Sequence, residues 1–302
     1  LNENIKISGK TYIFDQGEHI IKKPIIVPDG NDLQINEGTK IKMLPNTYIM
    51  VTNGIVRFNG TKEKPIFISS IEKGLSWNGI YVNSKSNNFD KSSLNYVNLS
   101  DLNYFDNSKI QLTGGLNFVN SKVNLSNSII SNSFSEDAIN LVNSKFNLES
   151  VKIVNSKSDG IDIDFGEGKM INTIFDEIGG DAIDLSGSIV YLSESKIKNV
   201  EDKAISVGEA TKLEAENIEI SNSNIGIASK DSSKVNVKKV KISNCGLFDY
   251  AAYQKKSYFS GAYMKVDKSN SCKKSISQIG SELIINGEYI QEKKLNVKEL
   301  YN

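Results

Sequence analysis

A 22-residue period runs through the middle of the chain. The segments Asp137-Ala138-Ile139-Asn140, Asp159-Gly160-Ile161-Asp162, Asp181-Ala182-Ile183-Asp184, Lys203-Ala204-Ile205-Ser206 and Ile225-Gly226-Ile227-Ala228 start at positions 137, 159, 181, 203 and 225. A repeat of this length cannot bury an apolar face alone, so successive copies must stack on one another. Within each copy the apolar residues alternate, as in Ile161 and Ile163, Ile183 and Leu185, Ile205 and Val207. Period two predicts a strand with one face buried. A second apolar column, Ile130, Ile153, Phe175, Ile197, Ile220 and Ile242, is followed two residues later by Asn132, Asn155, Glu177, Asn199, Asn222 and Asn244. Asn suits a stacked turn because it tolerates the left-handed conformation and its amide can bond along the stack. No amphipathic helix separates the strands, which argues against a βαβ solenoid. The expected fold is all-β, a right-handed parallel β-helix with about 22 residues per rung, its hand following from the general rule for parallel crossovers.

By length alone, 302 residues suggest two domains, but a solenoid rung needs only its neighbours. Residues 1–275 are assigned to the β-helix, with an N-terminal cap over residues 1–23, and residues 276–302 to a C-terminal cap. The period is loosest over 83–115, where longer loops are expected, and residues 249–259 read as an aromatic and basic insertion. Leu283–Ile290 reads as a hairpin around Asn286-Gly287. Trp77 is expected to pack at a corner, His19 to be a bland surface or core residue, and Lys255 and Lys256 to lie on a solvated face. The chain begins at Leu1, which fits a mature form or a domain fused to others in a larger secreted protein.

The formal net charge is zero with pI near 6.8, so bulk charge recruits neither nucleic acid nor an anionic membrane. No stretch approaches the ~20 apolar residues of a membrane span. Arg57 is the only arginine and His19 the only histidine, which excludes a zinc site built from several histidines of one chain. Aligning Val235-Asn236-Val237 with Ala262-Tyr263-Met264 gives an offset that puts Cys245 and Cys272 at equivalent places on adjacent rungs. A disulfide there and two separate thiols are both open readings; a disulfide would imply an oxidising, extracytoplasmic setting.

The candidate chemistry lies on the outer face. If Ile161 and Ile163 point in, Asp162 and Asp164 point out. The same logic gives outward columns Asn140, Asp162, Asp184, Ser206, Ala228 and Val142, Asp164, Ser186, Gly208, Lys230, with Asp137, Asp159, Asp181 and Lys203 opening the rows. Rungs stack ~4.8 Å apart and residues i and i+2 lie ~6.6 Å apart. Asp159, Asp162, Asp164, Asp181 and Asp184 thus share one patch, with Lys203 and Lys230 expected at its edge. Carboxylates this crowded raise the pKa of one of them or hold a cation between them. Such a patch suits acid–base work on a glycosidic bond, where carboxyl separations of ~5–5.5 Å serve retention and ~6.5–9.5 Å inversion; both spacings are present. It also suits Ca²⁺, with Asp162 and Asp184 as ligands.

Two resemblances follow from particular residues. Gly60-Thr61-Lys62-Glu63-Lys64-Pro65-Ile66-Phe67-Ile68 and Trp77-Asn78-Gly79-Ile80-Tyr81-Val82 resemble an early coil of secreted bacterial β-helix proteins. Ser158-Asp159-Gly160-Ile161-Asp162, Gly180-Asp181-Ala182-Ile183, Asp202-Lys203-Ala204-Ile205-Ser206 and Gly226-Ile227-Ala228-Ser229-Lys230 resemble the successive active-site rungs of polygalacturonase-type glycoside hydrolases. That family carries Asn-Thr-Asp, then Gly-Asp-Asp, Gly-His-Gly and Arg-Ile-Lys. Asp159, Asp181 and Lys230 match it, whereas Gly180, Lys203 and Ala228 stand where an Asp, the His and the Arg would be. The resemblance implies a β-helix of carbohydrate-active type, acting as hydrolase, lyase or epimerase on an extracellular polysaccharide or glycan. For a lyase or epimerase, Lys203 or Lys230 is the candidate base. The competing expectation is a non-catalytic structural or adhesive module of a cell-surface protein.

Overall fold

A computed structural model of the chain describes residues 5–84, 90–107, 110–271 and 274–300. It divides the chain into two compact units, Leu1–Ser158 and Asp159–Asn302. Each is built from parallel strands that wind into coils with three ladders apiece, and the chain as a whole is a right-handed parallel β-helix with almost no helix.

In the first unit one ladder runs from Thr11–Phe14 through Asp32–Asn36, Val56–Asn59, Ser92–Asn95 and Lys122–Ser126 to Lys145–Glu149. A second runs from Gly17–Ile21 to Lys152–Ser156, and a third from Ile25–Val27 to Asp137–Val142. Among the described residues of the N-terminal stretch, Lys6–Ser8 folds back antiparallel on Thr11–Phe14, and parallel pairing has begun by Thr11. The lengthened turns expected over 83–115 are present: Ile80 pairs with Leu116, and Phe105–Asn107 and Ile110–Leu112 form an antiparallel hairpin outside the main sheet. Trp77 is fully buried and its indole N–H donates to the Ser100 carbonyl, so it is a packing residue. His19 is buried with its ring edge-on to Phe14, and its Nε2 lies 2.9 Å from the Asp15 carbonyl.

In the second unit the 22-residue register is realised. Ile161 pairs with Ile183, Ile183 with Ile205 and Ile205 with Ile227, and none of the four is exposed. Each such side chain removed from water contributes about 1.5–3 kcal/mol. Three strands, Ile189–Gly208, Lys212–Lys230 and Lys234–Tyr253, each run almost the whole way round a coil. They bend where φ turns positive, as at Glu194 and Asn199. The predicted Asn column holds throughout, with Glu177, Asn199, Asn222 and Asn244 all between 55° and 59°. The Asn199 amide donates to Asp176, Asn222 to Asn199 and Asn244 to Asn222, at 2.8, 2.9 and 3.2 Å.

Two sequence expectations change here. Residues 249–253 are not insertion: Ile225 pairs with Phe248, Ile227 with Tyr250 and Lys230 with Tyr253, so this stretch is a further row, with Tyr250 and Tyr253 fully buried. The inserted residues begin at Gln254. That displaces the next strand, and Val235 pairs with Met264, two residues beyond the alignment that matched Cys245 to Cys272. Cys245 is buried beside Ser223, and Cys272 lies outside the described residues. The hairpin at Asn286-Gly287 forms as expected, with both residues at positive φ and Ile285 opposite Glu288. The C-terminal segment does more than close an end. Leu300 packs with Ile225, Ala228, Ala251 and Tyr253, and Leu295 and Val297 join it. No helix among the described residues is long and apolar enough to cross a membrane.

Candidate functional site

The strand Asp159–Asp164, the strand Ile183–Ser186 and residues 203–208 and 225–230 present one outer face of the second unit. The pairings Asp162 to Asp184 to Ser206 to Ala228, and Asp164 to Ser186 to Gly208, set its columns. All seven sequence-predicted residues, Asp159, Asp162, Asp164, Asp181, Asp184, Lys203 and Lys230, belong to these rows.

The row-opening residues form a ladder of their own. Asp159 Oδ1 accepts the Asp181 amide at 2.8 Å, and Asp181 Oδ1 accepts the Lys203 amide at 2.9 Å. These carboxylates therefore help to stack the coil, which is a structural role. The two lysines do not sit at the edge of the patch. Lys203 is 1% exposed and Lys230 6%. A lysine buried this deeply requires paired charge. Lys203 Nζ lies 3.4 Å from Asp181 and 2.5 Å from Asp202. Lys230 Nζ donates to Ser206 Oγ at 2.7 Å and lies 3.9 Å from Asp184 Oδ1. That Asp184 oxygen is buried and has no hydrogen-bond partner.

Two carboxyl groups of the patch have raised pKa values, and burial, rather than crowding by like charges, is the leading cause. Burial pushes the buried Asp181 up, the Lys203 ammonium opposes it, and Asp184 and Asp202 add to the rise. Burial also raises half-buried Asp164, followed by the charges on Glu209 and Asp184, while Lys256 opposes.

Several participants escaped sequence reading. Asp202 directly precedes Lys203 and shares its ammonium. Asp231, fully buried, accepts the amides of Lys255 and Lys256 at 2.6 and 2.8 Å and so pins the inserted loop. From that loop Lys256 pairs with Glu209. The Glu209 bond raises the pKa of Lys256. Lys255 is exposed, as expected of a solvated face, yet desolvation and then the charges on Lys230 and Lys203 lower its pKa. The signal for these residues lay in the interruption of the period after Tyr253, which delivers a loop to this face.

The model of a right-handed β-helix region matches residues 137–281, and the model of a pectate-lyase-like β-helix domain matches residues 6–186, more than half of the chain. The chain belongs to the pectate-lyase-like β-helix family. No curated protein sequence matches it. Among solved structures it is similar to an alginate lyase from Paenibacillus sp., at 10% identity and TM-score 0.44, covering 83% of this chain and 93% of that one. It is similar to the catalytic unit of an α-1,3-glucanase from Streptomyces thermodiastaticus, at 10% identity and TM-score 0.47, covering 88% of this chain and 64% of that one. A tailspike protein of an Escherichia coli O157:H7 bacteriophage gives 12% identity and TM-score 0.45, covering 91% of this chain and 42% of that one.

In this member of the family, no group of three or more His, Cys, Asp or Glu side chains among the described residues is placed to hold a metal ion. The positive charge beside the carboxylates of the patch comes from lysine. A concavity of about 690 Å³ away from the patch is lined by Glu194, Lys196, Asn217, Glu219, Lys239 and Asn270. It belongs to other sides of the coil, and its Lys196–Glu219 and Lys241–Glu219 pairs are exposed, as a solvated surface requires.

Proposed function

We propose that this chain binds and processes a polysaccharide on the outer face of residues 159–230, outside the cytoplasm. The observation that carries the reading is Asp184 Oδ1, a buried acceptor with no hydrogen-bond partner. An acceptor left unmade inside a protein is costly and calls for an explanation such as a water, an ion or a catalytic role, and the last is the one that fits this reading. A sugar hydroxyl or a transferring proton is the donor that fits. Around it stand carboxyl groups held toward the neutral, proton-donating form, Asp164 and Asp181. Buried Lys230 is at 3.9 Å. An acid, a base and a cation within one face are the parts that hydrolysis, elimination or epimerisation of a glycan needs. The description of the family, pectate-lyase-like, supports the same substrate class.

The amide-accepting roles of Asp159 and Asp181 favour a second reading, in which the face is a stacking device of a non-catalytic surface module. A glycan-array screen with and without Ca²⁺, followed by product analysis on each hit, separates the two. The Ca²⁺ arm tests Asp162 and Asp184 as a metal pair. New reducing ends mark hydrolysis, an unsaturated product marks elimination, and binding without product marks a module. The variant Asp162→Asn/Asp184→Asn should abolish turnover or binding; for stability, the relief of like-charge repulsion and the loss of the Asp184 partner of buried Lys230 act in opposite directions. Unchanged binding and activity would reduce the patch to a solvated face.

A further inference from the structure

Phe165 is the residue of this face that packing explains least. It follows Asp164 and occupies the corner position whose equivalents on the next coils are Gly187 and Glu209, since Asp164 pairs with Ser186 and Ser186 with Gly208. Its φ is 54°, in the left-handed region that Gly and Asn favour. Other corner positions of the unit with positive φ carry Asn172, Glu194, Asn217, Asp231 and Gly187. A bulky aromatic side chain there stores backbone strain, and burial does not offset it, because Phe165 is 65% exposed.

The neighbouring coil makes a seat for the ring. A Cβ added at Gly187, itself at φ 60°, would come within 2.7 and 2.8 Å of Phe165 Cδ1 and Cε1. The ring therefore rests against glycine backbone, where any other residue would displace it. On the following coil the same corner holds Glu209, paired with Lys256 from the inserted loop. An exposed apolar ring, held in place at a strained backbone position and bordered by the titratable cluster, matches what one face of a sugar requires. A pyranose presents a patch of C–H groups on one side and hydroxyls at its rim, so an aromatic ring takes the first and charged groups take the second.

We propose that Phe165 is a stacking platform for a pyranose ring of the polysaccharide, forming a subsite beside the one at Asp164 and Asp184. The proposal rests on the function proposed above. Its test uses the full chain and an oligosaccharide taken from the glycan screen. Binding is measured by calorimetry for the wild type, Phe165→Ala, Phe165→Trp and Asp184→Asn.

Phe165→Ala should bind about tenfold or more weakly, the loss expected of one stacking contact, while its melting temperature does not fall. A packing residue would show the opposite pair of results. Phe165→Trp should keep the affinity, and its emission should shift on titration, whereas the buried Trp77 gives the wild type no such signal. Phe165→Ala affinity equal to wild type overturns the platform. So does a wild-type dimer that Phe165→Ala converts to monomer in light scattering, since the ring would then serve a second copy. If the wild type binds and Asp184→Asn loses turnover while Phe165→Ala binds normally, the proposed function stands and the platform falls. If the wild type binds no glycan, both fall.

Discussion

Replacing Lys203 by Met removes a buried ammonium while keeping most of its apolar stem. Two carboxylates lose their partner, but not equally. The Asp202 side chain is 35% exposed, so water resolvates it, whereas that of Asp181 is 10% exposed. Breaking a buried ion pair by removing one member costs about 3–5 kcal/mol. Asp181 has an escape, because its pKa is already raised by burial and loses its main opposing cause with Lys203. Taking up a proton relieves the stranded charge, which sets the expected loss at the lower end, about 3 kcal/mol at pH 7. The pH dependence follows from the same step. A carboxyl whose folded pKa exceeds its unfolded value binds more protons when folded, so the variant gains stability relative to wild type as pH falls from 7 toward ~4. Adding Asp181→Asn should restore a large part of the loss, since the Asn carbonyl still accepts the residue-203 amide, giving a coupling energy of about 2 kcal/mol. Urea unfolding followed by circular dichroism at pH 7 and pH 4.5 measures Lys203→Met, Asp181→Asn and the double variant. A loss below about 1 kcal/mol, or one that does not change with pH, would refute the claim that Lys203 neutralises a buried Asp181.

Ile183→Asp places a charge in the fully buried column and should leave no cooperative unfolding transition in the second unit, a loss of more than about 4 kcal/mol checked by denaturant titration. Asp164→Asn should melt higher than wild type at pH 7: the folded pKa of Asp164 is raised, so wild type loses stability as pH rises through it, and the advantage should vanish below pH ~4. Leu300→Ala should cost about 2–3 kcal/mol and increase dye binding to exposed apolar surface, because Leu300 covers Ile225, Ala228, Ala251 and Tyr253.

The fold was legible because stacking acts on every coil alike. Ile161, Ile183, Ile205 and Ile227 must face inward at one spacing, and Asn199, Asn222 and Asn244 must turn the chain at another, so the period itself encodes the register. The columns of the site were legible for the same reason. What was not legible depends on breaks in that period. The burial of Lys203 and Lys230, placed by sequence at the rim, goes with particular partners, Asp202 and Ser206, that a column of residue types does not assign to them. The inserted loop that brings Lys255 and Lys256 was read as starting five residues early, because Phe248 and Tyr250 replace Ile225 and Ile227, and Tyr253 replaces Lys230, while keeping their register. No column of the sequence includes Phe165, and its positive φ and exposure are what single it out.

The same face changes polarity along its length, and the change explains why charges survive inside it. At the row-opening position Asp181 and Lys203 give way to Ile225 and Phe248; three residues on, Asp184 and Ser206 give way to Ala228 and Ala251. The apolar rows lie under Leu295, Val297 and Leu300. Lys203 pairs in register with Ile225, so the charged cluster borders a wall from which water is excluded. A dry wall raises the cost of the ionised carboxylate and strengthens its attraction to a nearby ammonium at once. The C-terminal segment covers the row that pairs with Lys203, so its packing is expected to reach the chemistry of the cluster as well as stability. Leu300→Ala should therefore bring the Asp181 pKa back toward the ordinary carboxylate range, an effect that nuclear magnetic resonance titration of its side chain reads directly. A loss of stability with no movement of that titration would confine the segment to packing alone.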